Sequence, residues 1–133
     1  MYLDDLVETI RPVLKERGYK KKKYCWYKNN EDITVIFAIQ RSQYGADMWY
    51  YNFGVVINQL ESKSVTSISG CHITERLDMK INGEMLATDI LLKAIIRWEE
   101  KYGNMESLRR KALENNLPRM TTVRARTYLT TVC

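Results

Sequence analysis

A single histidine, His72, and three scattered cysteines, Cys25, Cys71 and Cys133, are all this chain has of the common soft metal ligands. A zinc site needs several such ligands close in sequence, as in Cys-x-x-Cys, and no such cluster occurs. The spacing predicts no metal site and three free thiols, as in a reducing compartment. There is no Gly-rich phosphate loop, and no serine stands in a nucleophile-elbow context. Adjacent carboxylates occur at Asp4-Asp5, Glu31-Asp32 and Glu99-Glu100, and each pair reads as solvated surface charge. No apolar run is long enough to cross a bilayer. The opening residues, Met1-Tyr2-Leu3-Asp4-Asp5, put acid where a signal peptide carries basic residues. These absences predict a soluble cytoplasmic protein with no cofactor that is not an enzyme.

What is present is ordinary globular material. Apolar residues make up 45% and charged residues 28% of 133 positions, which fits one folded domain spanning 1–133. The net charge of +5 is uneven. From Lys15 to Lys28 there are seven Lys or Arg and one acid, Glu16; from Arg109 to Arg126 there are six and one acid, Glu114. Between Asn29 and Ser62 the only basic residue is Arg41. Two basic stretches thus flank a nearly uncharged middle, which suits an anionic partner or a merely solubilising face.

Hydrophobic periodicity gives the architecture. Leu3, Leu6, Val7, Ile10, Val13 and Leu14 recur at helical spacing, so residues 1–18 form a helix with Asp4 and Asp5 at its positive end and Gly18 as its stop. Pro12 predicts a kink or a tightened final turn. Residues 22–77 read as an antiparallel meander. Its strands are Lys22 to Lys28, a second carrying Ile33, Val35, Phe37 and Ile39, a third carrying Trp49, Tyr51, Phe53, Val55 and Ile57, and a fourth from Cys71 to Leu77. A turn falls at Asn29–Asp32, a loop around Gly45, a long loop over Gln59–Gly70, and a turn at Asn82-Gly83. Residues 88–117 hold two helices, the first with the apolar face Ile90, Leu91, Ala94, Ile95, Trp98 and Tyr102 and the second with Met105, Leu108, Ala112 and Leu113 facing inward, and 118–133 is a basic tail without pattern. The expected fold is α+β: an antiparallel sheet of about four strands covered on one face by helices, the N-terminal helix first and two helices after the sheet.

Strand alternation also nominates a surface. If the face bearing Phe37, Ile39, Tyr51 and Phe53 is buried, then Gln40, Tyr50 and Asn52 line the opposite face, with Arg41 and Ser42 at its rim. His72 beside Glu75 or Arg76 would be the germ of a ribonuclease-like cluster, but a lone histidine near a carboxylate is more commonly structural. Tyr24, Trp26, Tyr27, Tyr50 and Tyr51 near the run Lys20, Lys21, Lys22, Lys23 suggest a stacking surface for single-stranded nucleic acid. Against that, Trp26, Trp49, Tyr51 and Phe53 fit the buried face of an alternating sheet.

The order of an amphipathic helix, Gly18-Tyr19-Lys20-Lys21, Gln40-Arg41-Ser42, Asn52-Phe53-Gly54 and Cys71-His72 leading to Arg76 resembles a small bacterial family, domain of unknown function 4304. The resemblance covers roughly residues 1–80. It implies an α+β cytoplasmic bacterial domain, marks Gln40, Ser42, Asn52, His72 and Arg76, and implies no activity. Two functions follow as expectations. The first is a non-catalytic protein-binding module, such as an immunity protein that neutralises a bacterial toxin and meets an acidic or neutral surface. The alternative is a nucleic-acid-binding module using the Lys20–Lys23 edge, which a steep salt dependence would distinguish.

Overall fold

Gly18 ends the first helix through the one backbone conformation a side chain would strain. The computed structural model describes residues 3–42, 48–78, 80–81 and 84–131, so the loop around Gly45, the Asn82-Gly83 turn and Cys133 lie outside the described residues. Helix α1 (Leu3–Glu16) runs without interruption through Pro12 and buries Leu3, Leu6, Val7, Ile10 and Leu14. Gly18 then takes φ +95°. Its N–H donates to Lys15 O (3.0 Å) and that of Tyr19 to Leu14 O (3.0 Å), the paired bonds of a Schellman cap. The cap turns the chain so that Tyr19 is buried on the core side.

Strands β1 (Lys20–Lys22) and β2 (Cys25–Asn30) form a hairpin in which Lys21 faces Trp26. The sequence suggests one strand over 22–28. The chain instead reverses at Lys23, which adopts φ +57°. Strands β3 (Ile33–Arg41), β4 (Trp49–Ile57) and β5 (Ile73–Asp78) continue the antiparallel order. A two-residue pair, β6 (Lys80–Ile81) and β7 (Glu84–Met85), forms its own small ladder. Helices α2 (Thr88–Tyr102) and α3 (Met105–Leu113) follow, the latter capped by the Asn104 side chain. Ile90 and Leu113, expected on the inward faces, are exposed instead, because each face is narrower than the apolar spacing suggests and turns only Leu91, Ile95 and Trp98 of α2 and Leu108 of α3 fully inward. The tail, expected to be featureless, contributes β8 (Met120–Thr121) and α4 (Val123–Thr130), capped by Thr122. The main sheet therefore has six antiparallel strands in the order β1-β2-β3-β4-β5-β8, more than the four expected, and a third helix follows the sheet.

Alternation decides the faces. Trp26, Phe37, Tyr51 and Phe53 align across β2, β3 and β4 and pack with α1 and α2 into one core. Their ring centroids lie 5.5–6.1 Å apart in tilted contacts, a geometry aromatic pairs favour. The other face is covered at one end by the segment between β4 and β5. Its turn Ile68–Gly70 packs on β3 and β4, and the Cys25 thiol donates to Thr66 O at 2.9 Å. Beneath that end Thr34, Ile36 and Val56 are buried.

Gly54 makes the cover possible, because a Cβ there would stand 2.4 Å from Cys71 Sγ and 3.1 Å from Ile68 Cδ1. Gly54→Ala is expected to lower stability by about 1–3 kcal/mol through overpacking. Cys71→Ala in the same chain should recover part of the loss, and a denaturant-midpoint double-mutant cycle checks the coupling. Additive effects would show that the two positions do not compete for the same space.

Candidate functional site

The uncovered end of that face is where strand parity gathers polar groups. Register places Asn52 between Ala38 and Arg76, and Tyr50 between Gln40 and Asp78. Arg76 Nε donates to Asn52 Oδ1 at 3.2 Å, and its Nη2 donates to Gln40 Oε1 at 3.1 Å. Asn52 Nδ2 donates to the same Gln40 oxygen at 3.0 Å. The guanidinium carbon of Arg76 lies 4.7 Å from the centroid of Tyr50, within cation–π range. Asn52 is buried at 6% exposure, while Gln40 and Arg76 remain exposed. Three adjacent strands thus hold one arginine in a fixed pose on an aromatic ring. Among the described residues no carboxylate pairs with it.

Arg41 and Ser42 are elsewhere. Arg41 shares the alternation of Ile39 and lies opposite Trp49, on the helix side. It stacks over Tyr24 at 5.2 Å and donates to the Tyr24 hydroxyl at 2.9 Å. Ser42 extends the ladder through its N–H to Met48 O.

His72 stands apart from the arginine platform. It is 5% exposed, its Nδ1 accepts from the Ile57 N–H at 2.9 Å, and its Nε2 lies 2.9 Å from Glu61 Oε1. With Nδ1 accepting, the ring N–H is at Nε2 and donates a hydrogen bond to Glu61 Oε1. The partner is Glu61, in place of the Glu75 or Arg76 suggested by proximity in sequence. The ring joins the end of β4 to the segment that covers the sheet.

Burial pushes the Cys25 thiol up to about 11 and, with the nearby Cys25, the Cys71 thiol up to about 12. Only the thiolate is a nucleophile, so both are inert at neutral pH. Among the described residues no group of three His, Cys, Asp or Glu is placed to hold a metal ion. Among the described residues no helix is long and apolar enough to cross a membrane.

Sequence reasoning missed two clusters. Glu99, read as surface charge, accepts from the Tyr19 hydroxyl (2.9 Å) and Lys28 Nζ (3.1 Å), with Arg17 at 3.8 Å. Burial, reinforced by the Glu99 carboxylate, raises the Tyr19 hydroxyl well above its ordinary value. The cluster fastens α2 to the hairpin. The second is a groove of about 390 Å³ between β5 and α2, floored by Phe53, Trp98 and Tyr102 and rimmed by Glu75 of β5 and by Arg97 and Lys101 of α2. Helix spacing places Arg97 and Lys101 four residues apart on one side of α2, a signal available from the sequence.

The basic edge also takes shape. Arg11 and Lys15 of α1 join Lys20 and Lys21 of β1 around a groove of about 330 Å³ over Tyr19 and Trp26. Both aromatics are buried, at 4% and 1% exposure. Lys22 and Lys23 are exposed beside it.

The model of the family described as domain of unknown function 4304 matches residues 10–114. It therefore extends through α2 and α3, beyond the region carrying the sequence motifs. No curated protein and no solved structure matches the chain.

Proposed function

The chain belongs to the domain of unknown function 4304 family, and we propose that it is a non-catalytic protein-recognition module of immunity type, acting in the cytoplasm on an acidic partner surface. The observation that carries this reading is Arg76: exposed, stacked on Tyr50, and bonded to Gln40 and Asn52 without a carboxylate partner among the described residues. An arginine already held in place loses little side-chain freedom on binding, and its remaining N–H groups fit a carboxylate fork. Tyrosine and arginine are the residue types that most often dominate interfaces. The inert thiols, and a histidine whose two nitrogens are both engaged inside the fold, support a role in binding rather than in chemistry.

The basic groove beside β1 favours a second reading, contact with nucleic acid. Among the described residues, no ion pair neutralises Arg11, Lys15, Lys20 or Lys21. That surface offers charge for phosphates, but the burial of Tyr19 and Trp26 removes the stacking platform that single strands use. The arginine platform has both charge and a specific geometry, so protein recognition is preferred.

The test takes the protein encoded by the adjacent gene as the binding candidate, with affinity measured by calorimetry. Tyr50→Ala combined with Arg76→Ala should weaken binding by at least about 2 kcal/mol. Its unfolding free energy should fall by about 1–3 kcal/mol, because the buried Asn52 Oδ1 loses its donor, which leaves the sheet folded for the affinity measurement. Undiminished affinity in the double variant would remove the platform as the recognition site.

A further inference from the structure

The outer edge of β5 is only half paired. Ile73 and Thr74 face Thr121 and Met120 of β8, and among the described residues pairing stops there. Continuing that register would set Pro118 against Arg76, and proline has no N–H to donate. The direction of the remaining backbone groups follows from the ladder. Ser42 N–H bonds to Met48 O and Asn58 N–H to Asp32 O, so the even-numbered residues of β4 bond to β3 and the odd-numbered ones to β5. On β5, residues 73, 75 and 77 therefore bond to β4, and the N–H and C=O groups of Arg76 and Asp78 point outward. Among the described residues the β6–β7 pair bonds to itself and not to this edge.

Both sides of the same edge carry recognition features. On the helix side lies the groove floored by Phe53, Trp98 and Tyr102. On the other side Arg76 lies over Tyr50. The charge is asymmetric: Arg97 and Lys101 rim the groove, Lys111 sits 5.6 Å over the Tyr102 ring and the Arg76 guanidinium stands on the opposite face, against the acids Glu75, which also lines the groove, and Asp78. An edge strand left unpaired is a template for another chain, and most folds block it with charge, proline or a covering element.

We propose that the open edge of β5 at Arg76–Asp78 takes an extended acidic segment of the partner protein as an additional antiparallel strand. Its backbone bonds to the outward groups of Arg76 and Asp78. Alternate side chains enter the aromatic groove, where apolar groups fit, and the intervening ones meet Arg76 on Tyr50, where carboxylates fit. This rests on the protein-recognition reading above and adds to it the mode of contact and the kind of segment bound.

The probe is a synthetic octapeptide alternating glutamate with valine, compared with one alternating lysine with valine. The acidic peptide should bind with a Kd below about 1 mM, slow hydrogen exchange at the Arg76 and Asp78 amides, and shift the Trp98 indole N–H resonance. The lysine peptide should do none of these. Asp78→Pro blocks the edge without removing a bond to β4, because that N–H points outward. It also removes an acid, so by charge alone it would strengthen binding of the acidic peptide. A weakening of about tenfold or more in Asp78→Pro, with Asp78→Ala binding at least as well as the parent, supports strand addition. Equal binding to Asp78→Pro, or no exchange protection at up to about 1 mM peptide, overturns it. If the adjacent gene's product loses affinity for the Tyr50→Ala, Arg76→Ala double variant but not for Asp78→Pro, the platform reading stands and strand addition fails. If neither variant affects that binding, both fail.

Discussion

Trp98→Ala is expected to lower the unfolding free energy by about 3–5 kcal/mol, the range for deleting a large buried aromatic. Trp98 lies on the inner face of α2 at 5% exposure. Its ring is 5.7 Å from Phe53 and 4.5 Å from Tyr102, so truncation opens a void between the helix and the middle of the sheet. Its indole N–H donates to Gly54 O at 3.1 Å, tying α2 to a central strand. Trp98→Phe separates the two contributions. It keeps most of the ring contact and loses only the hydrogen bond, so it should cost about 1–2 kcal/mol. Chemical denaturation measures both variants. A loss under about 1 kcal/mol for Trp98→Ala would mean that α2 does not rest on β4 through this side chain.

The position of Trp98 was legible because Leu91, Ile95 and Trp98 repeat at helical spacing, and that signal survives whatever the tertiary arrangement. The same holds for β3 and β4, whose alternating large residues set both the core face and the opposite polar face. Gln40, Tyr50 and Asn52 could therefore be grouped before their hydrogen bonds were known, while Arg76 on β5, whose burial does not alternate cleanly, entered through the family resemblance. Arg41 shows the limit of a grouping by proximity: one residue along a strand is the other side of the sheet. The first strand was misread because Lys20–Lys23 carries no apolar alternation, and its reversal depends on one residue, Lys23, in the left-handed region. Strand β8 is two residues long, and α4 buries only Ala125 and Leu129, so neither has enough periodicity to announce itself. Long-range partners were hidden most completely. Nothing local distinguishes Glu99 from Glu100. The difference is that one turns toward Tyr19 and Lys28, which are 80 and 71 residues away in sequence.

His72→Ala should cost about 2–4 kcal/mol, more than its small size on an edge segment suggests. The imidazole is the acceptor for the buried Ile57 N–H, and deleting it leaves a donor without a partner, a loss of about 1–3 kcal/mol before any cavity is counted. Glu61 is orphaned as well, although it is partly exposed and also lies 3.9 Å from Arg124, so water and that arginine can satisfy it. His72→Asn is the informative comparison. Its side-chain oxygen can take the place of Nδ1 at Ile57 but cannot reach as far toward Glu61, so it should restore roughly half of the lost stability. Binding provides the second measurement. A histidine with both nitrogens engaged inside the fold has no lone pair or proton to offer a ligand, so partner affinity of the folded His72→Ala protein should stay within about tenfold of the parent. A loss of about a thousandfold with the fold intact would place His72 in a working acid–base site and reverse the non-catalytic reading.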